Sequence, residues 1–162
     1  MKKLISLIVA LCICVCAFSC GKRKCLYDLI VSVTVDDDTL SKGHVICYGR
    51  MHENSIGSDT LCEYLGLFGY PEFEDKIEEL AVYSSVGGSF YELAAMRVYS
   101  ACDIADGVLF FERRIHSAKR ARMFDVDTSA ADNAIISVYG NTIVLFMMND
   151  NKAFQKKLEK LM

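Results

Sequence analysis

Histidine is scarce in this chain, with three in 162 residues, and none has the sequence context that catalysis asks for. A Ser or Cys nucleophile needs a partnered His and an orienting acid, and no G-x-S-x-G elbow or comparable turn is present. Proline is scarcer still, Pro71 being the only one. Low-complexity tracts and short-period repeats are absent, and the length suits one domain with its own core rather than two. Basic residues are not in excess. The formal net charge of −3 becomes −5 once Lys2 and Lys3 leave with the first segment, which argues against a nucleic-acid binder, since that needs a basic footprint. No apolar run reaches the roughly 20 residues that span a bilayer as a helix. The longest, Leu4 to Phe18, has 15.

That run belongs to an export signal. Lys2 and Lys3 precede it, and Ala17 and Ser19 put small residues three and one before the bond to Cys20. The stretch also resembles a bacterial lipobox, whose cysteine is acylated and becomes the mature N-terminus. It departs from that pattern at Ala17, where Leu or Val is usual, and at the bulky Phe18. Two acyl chains on Cys20 would anchor the protein stably where one alone binds marginally, with Lys22, Arg23 and Lys24 beside anionic headgroups. Retention of the signal as an anchor is the alternative.

Of the eight cysteines, Cys12, Cys14 and Cys16 leave with the signal, and Cys25, Cys47, Cys62 and Cys102 remain beside Cys20. Four cysteines allow two disulfides in three connectivities. Their spacings do not resemble a dense disulfide framework, so small buried hydrophobes are the favoured reading.

Along the rest of the chain, residues 20–57 read as a tether followed by a β segment. Tyr27, Leu29, Val31, Val33 and Val35 alternate as in a strand, Asp36 to Asp38 stop it, and His44 to Tyr48 fits a second short strand. Ser58 is placed to cap a short helix with Leu61, Leu65 and Phe68 on one face, ended by Gly66 and Gly69. Pro71 suits the start of another. Leu80 to Val86 and Phe90 to Tyr99 read as a hairpin about Gly87 and Gly88, its second strand buried on both faces. A long helix follows, about Asp103 to Arg122, with Ile104, Val108, Phe111, Ile115 and Ala118 as its sheet-facing stripe. A second hairpin, Ala134 to Met148, turns at Gly140 and Asn141. The closing helix carries Phe154, Leu158 and Leu161 inward and is capped by Asp150 or Asn151.

The expectation is therefore an α+β fold over residues 58–162. Its ββαββα core is a four-stranded, largely antiparallel sheet with helices packed on one face, preceded by a signal peptide at residues 1–19. The order of IEELAVYSS (Ile77 to Ser85), ELAAMRV (Glu92 to Val98), the Ala105, Asp106, Gly107, Val108 opening of the long helix and GNTIVLFMMND (Gly140 to Asp150) resembles a family of clostridial lipoproteins. That family is catalogued as domain of unknown function 4358. Thr142 stands where its pattern usually has an aromatic. The resemblance implies a Gram-positive lipoprotein and this type of fold; it implies no activity and no cofactor.

The groups that suggest chemistry have plainer readings. His44, Cys47 and His52 spell H-x2-C-x4-H but lack a fourth zinc ligand. Asp125, Asp127 and Ser129 start like a calcium loop, yet Ala130 and Ile136 occupy the positions that need Gly and a bidentate Glu; turn chemistry explains them and Asp36 to Asp38. Ser84, Ser85 and Gly87 to Ser89 precede a strand, whereas a phosphate loop precedes a helix. Arg113, Arg114, Lys119, Arg120 and Arg122 form the strongest charged feature, either a solvated helix face or a contact for an anionic surface. The leading expectation is an exported, non-catalytic binding or interaction module. It would be held at the outer face of the cytoplasmic membrane through Cys20, with an envelope protein or an anionic cell-wall polymer as partner. A small hydrolase or metal-dependent enzyme using His44, Cys47 or His52 is the alternative.

Overall fold

The architecture is built outward from one strand, Glu92–Val98, in which every residue is buried. A computed structural model describes residues 24–34, 40, 43–49, 52–85, 90–121 and 127–162. The signal segment with Cys20, together with Lys22, Arg23, Asp36 to Asp38, Gly87 to Ser89, Arg122 and Asp125, lies outside the described residues. Leu93 and Ala95 enter one core cluster and Ala94, Met96 and Val98 another, because successive side chains of a strand point to opposite faces. Burial on both faces makes this strand, β3, the middle one of five. The strands are β1 (His44–Tyr48), β2 (Ile77–Ser84), β3, β4 (Ile135–Tyr139) and β5 (Thr142–Met147), in the spatial order β1-β2-β3-β5-β4. All neighbours are antiparallel. Both expected hairpins are present. In the second, Tyr139 pairs with Thr142 across the two-residue turn, where Gly140 takes φ of 58°, a value that glycine adopts at little cost.

Two expectations are corrected. The sheet has five strands, because His44–Tyr48 pairs along β2 as an edge strand. The helices also cover both faces. On one side, α2 (Ser58–Gly66) and α3 (Ile104–Arg120) bring Leu61, Leu65, Phe110 and Phe111 onto Leu80, Val82, Met96 and Ile143. On the other, α1 (Leu26–Thr34) and α5 (Asn151–Leu161) set Leu26, Leu29, Ile30, Val33, Phe154 and Leu158 on Ala81, Tyr83, Leu93 and Phe146. A central strand that is apolar on both faces needs both covered; a fully buried Leu or Phe is worth about 1.5–3 kcal/mol.

The segment expected as the first strand is the helix α1. Leu26 to Val33 satisfies two periods at once. Tyr27, Leu29, Val31 and Val33 alternate, but Leu26, Leu29, Ile30 and Val33 also fall at i, i+3, i+4 and i+7, and these four are the buried ones. A strand would have buried one file of side chains, while the open sheet face offered room for a helical stripe. Thr34 closes the helix with its hydroxyl donating to the Ile30 carbonyl at 2.9 Å.

Smaller differences lie at helix ends. Gly57 is the N-cap of α2 and makes no side-chain cap bond; Ser58 instead donates to Glu74. Pro71 opens a 3-10 turn, Pro71–Lys76, as its fixed φ allows. The long helix begins at Ile104 after a 3-10 turn at Ala101–Asp103, where Ser100 Oγ accepts from the Cys102 N–H at 3.2 Å. Its expected stripe faces the sheet. Phe110, fully buried, is the largest member that the stripe omitted. The short helix α4 (Ser129–Asp132) precedes β4. Asp150 caps α5 by accepting from the Ala153 N–H at 3.0 Å, while Asn151 ties the end of β5 by accepting from the Met148 N–H at 2.7 Å. Among the described residues, no helix is long and apolar enough to cross a membrane.

β2 carries an irregularity that decides which charge is buried. Its register shifts between Ile77 and Glu79, so that Arg97 stands opposite Glu79 rather than Glu78, as a β-bulge with one extra residue requires. Gly49, just past β1, leaves room for it. Gly49 has φ of +83°, and a Cβ there would come within 2.2 Å of the Glu78 carbonyl oxygen. Gly49→Ala is expected to lower unfolding free energy by about 2 kcal/mol, from left-handed strain and this backbone clash. A urea titration followed by far-UV dichroism measures it.

Candidate functional site

The metal-type constellation is not assembled. His44 and Cys47 lie three residues apart on β1, an odd offset that sends their side chains to opposite faces of the sheet. Cys47 is buried in the core beneath α1, and His44 is exposed. His52 stacks on the Tyr27 ring with centroids 3.8 Å apart, and its Nδ1 accepts from the Asn54 N–H. Among the described residues, no group of three or more His, Cys, Asp or Glu is arranged to hold a metal ion. Asp127 Oδ1 accepts from the Ser129 N–H at 2.9 Å, the turn chemistry expected of it. Ser84 pairs with Glu92 across the first hairpin, and Ser85 bonds to Tyr91, which agrees with a hairpin there.

The four described cysteines are all free. Only Cys47 is fully buried, Cys25 and Cys62 are half-buried, and Cys102 is exposed, so the small-hydrophobe reading fits Cys47 best. Burial, and then a hydrogen bond to the Glu79 carboxylate, pushes the Cys25 thiol up. Burial, followed by Cys25 and Glu79, does the same to Cys47. Both thiols are held in the protonated, poorly nucleophilic form.

The basic helix face divides on inspection. Arg114 does not face solvent: its guanidinium meets the Glu92 carboxylate through Nε at 3.2 Å and Nη2 at 2.5 Å, and it packs over the Phe68 and Phe90 rings. Glu92 is fully desolvated. Burial pushes its carboxyl up, and Arg114 opposes that by favouring the charged form. The buried Tyr64 hydroxyl lies against this pair, and its pKa is raised, chiefly by burial. Arg113 is exposed but partly engaged, donating to the Phe68 carbonyl at 3.1 Å and covering the Tyr70 ring at 4.5 Å. Lys119 and Arg120 are exposed near the C-terminal end of α3. The candidate anionic-surface set thus contracts to Arg113, Lys119 and Arg120.

A second buried pair joins the N-terminal segment to the sheet. Glu79 Oε1 accepts from the Leu26 N–H at 2.8 Å, and Glu79 Oε2 accepts from Arg97 Nη1 at 2.5 Å. Arg97 Nη2 donates to the Lys24 carbonyl at 3.0 Å, and Nε reaches Thr142 Oγ1 at 3.4 Å. Glu79 therefore satisfies the positive end of the α1 dipole while neutralising Arg97. Sequence reading missed Glu79, Glu92 and Arg97. The available signal was a charged residue inside an otherwise apolar strand, which burial tolerates only in pairs.

A third carboxylate, Glu74, receives the Tyr48 hydroxyl at 2.7 Å and the Ser58 hydroxyl. The bonds from Ser58 and Tyr48 hold its carboxyl below the usual range. The bond to Glu74 pushes the Tyr48 phenol up to about 12. These contacts tie β1, α2 and the Pro71–Lys76 turn together; none exposes a reactive atom.

A groove of about 530 Å³ between the Leu67–Gly69 turn and α3 is open to a partner. Leu67 is 79% exposed and Leu109 is 47% exposed. Glu112, Arg113, His116, Ser117 and Arg120 line its α3 side. Two large apolar side chains beside guanidinium groups form a surface for an amphipathic, acidic ligand. No family model, curated protein or solved structure matches the chain.

Proposed function

We propose that the chain is a non-catalytic interaction module, exported and held on the extracytoplasmic face of the cytoplasmic membrane by acyl chains on Cys20, in the manner of the clostridial lipoproteins it resembles. Its partner docks in the groove between Leu67 and α3. The observation that carries this reading is the joint exposure of Leu67 and Leu109 beside Arg113 and Arg120. Apolar side chains of that size are left in water at a cost of about 1.5–3 kcal/mol each relative to burial. A partner that covers them recovers it. A wall polymer of repeating anions would use the arginines and leave the leucines idle, so an envelope protein presenting apolar side chains flanked by carboxylates fits better.

The hydrolytic or metal-dependent alternative has no assembled site to use, since His44, Cys47 and His52 point to different places. Arg113→Glu with Arg120→Glu is expected to weaken retention of the partner about tenfold, roughly 0.5–1 kcal/mol per charge, with the far-UV dichroism of the folded protein unchanged. Leu109→Ser is expected to weaken it as well. Loss of association with the arginine pair but none with Leu109→Ser points to a wall polymer instead. Unchanged association in both variants sinks the groove as the contact.

A further inference from the structure

We infer that, when Cys20 is acylated, the domain rests on anionic lipid headgroups with the end of the sheet that carries Lys24, Tyr99, the Gly140–Asn141 turn and Met162, and holds the C-terminal end of α3 away from the bilayer. The inference rests on the anchoring proposed above and adds an orientation to it.

Its first ground is covalent geometry. Three residues, 21–23, separate Cys20 from Lys24, and the four Cα–Cα steps between them, at no more than about 3.6 Å each, reach about 14 Å. Lys24 itself is fixed. Its carbonyl accepts from Arg97, its ammonium donates to the Leu161 carbonyl, and α1 begins two residues later. The Cys20 backbone, from which the acyl chains would hang, therefore lies within about 14 Å of that point.

The second ground is what surrounds Lys24. Arg97 is the penultimate residue of β3, the Val98 N–H donates to the Asn141 carbonyl, and the Tyr99 N–H donates to the Lys76 carbonyl. Strand end, hairpin turn and chain end therefore meet there, around a cleft of about 340 Å³ bounded by Lys24, Tyr139, Asn141 and Met162. Tyr99 is 65% exposed and Met162 is 49% exposed, and Lys24 is exposed as well. A tyrosine, a methionine and a lysine at one end match the headgroup layer, where amphipathic rings and ammonium groups are favoured.

The third ground is the direction of α3. Near its start, Asp106 bridges Lys76 and Gly107 packs on Ile143; farther on, Arg114 pairs with Glu92 at the opposite end of β3. A helix of 17 residues is about 25 Å long. Lys119 and Arg120 thus stand about that far from the tethered end. The separation is beyond a Debye length of about 8 Å at physiological salt, so they do not contribute to holding the domain on the lipid.

The chain has no tryptophan, so single-tryptophan variants report position without background. The full-length lipidated protein carrying Tyr99→Trp or Ser117→Trp is reconstituted into phosphatidylcholine–phosphatidylglycerol vesicles whose acyl chains are brominated near the headgroup. The expected result is at least twofold quenching and a blue shift for Tyr99→Trp, and emission unchanged by bromination for Ser117→Trp. Met162→Trp serves as a second reporter of the same end should Tyr99→Trp fold poorly. Equal quenching at both ends, or none at the Lys24 end in protein whose Cys20 carries acyl chains by mass spectrometry, overturns the orientation and leaves the anchoring intact. Mass spectrometry that finds Cys20 unacylated overturns the anchoring, and the orientation with it.

Discussion

Arg114→Met is expected to lower the unfolding free energy by about 3–5 kcal/mol, the usual consequence of removing one partner of a buried ion pair. Glu92 is 2% exposed and Arg114 is its counter-ion. Without the guanidinium, the carboxylate remains on a fully buried strand. The charge, rather than lost packing, is the main cost. Glu92→Leu combined with Arg114→Met should therefore recover much of the loss, because it leaves no charge behind. Denaturant titrations of the two single variants and the double variant close the cycle. Equal losses in Arg114→Met and in the double variant would show that Arg114 acts through packing alone.

The same pair sets a pH dependence. The folded-state pKa of Glu92 is raised above 4.5 by burial, with Arg114 opposing. A raised carboxyl favours the folded state fully below its unfolded value, and that contribution is lost as pH rises through the folded value. In Arg114→Met the opposing cation is gone and the pKa climbs further. The variant's deficit should therefore be smaller near pH 4 than near pH 7, which denaturant midpoints at both values measure.

Arg97→Met is the second large effect, also about 3–5 kcal/mol, and it reaches a different part of the molecule. Arg97 neutralises Glu79 and holds the Lys24 carbonyl. Its loss strands a carboxylate and releases the segment that leads into α1. Amide exchange from Lys24 through Leu29 is expected to accelerate more than exchange in β3 or β5, a pattern that uniform destabilisation does not produce. Glu79→Gln in the Arg97→Met background should restore part of the stability, since the amide oxygen can still accept from the Leu26 N–H without carrying a charge. Absence of any rescue would mean that the ion pair is not what couples α1 to the sheet.

Features governed by neighbouring residues alone were readable beforehand. The Gly140–Asn141 turn, the two-sided burial of Leu93 to Val98, the sheet-facing stripe of α3 and a cap at Asp150 or Asn151 each follow from a spacing or a side chain within a few positions. The candidate site was only partly readable. Arg113 and Arg120 stood out as charge, but nothing local distinguished them from Arg114, one residue away, which turns inward to Glu92. Leu67 and Leu109 fall outside the apolar stripes of their helices, but so does the fully buried Phe110, so spacing alone did not mark them as exposed.

From Ser58 onward the sequence by itself determined the two hairpins, the helices at Ser58–Gly66, Ile104–Arg120 and Asn151–Leu161, and that charge sits along α3, but not the 3-10 form of Pro71–Lys76 or the short helix at Ser129–Asp132. Only the tertiary structure decided three things. Leu26 to Thr34 is a helix rather than a strand, because both periods are present in its apolar residues and the uncovered sheet face selected the helical one. Helices lie on both sides of the sheet, because β1 widened it and β3 is apolar on each face. And Glu79, not Glu78, meets Arg97, because a one-residue shift in β2 exchanges which side chain points inward. In each case the local pattern allows two answers of similar energy, and burial against a distant element separates them.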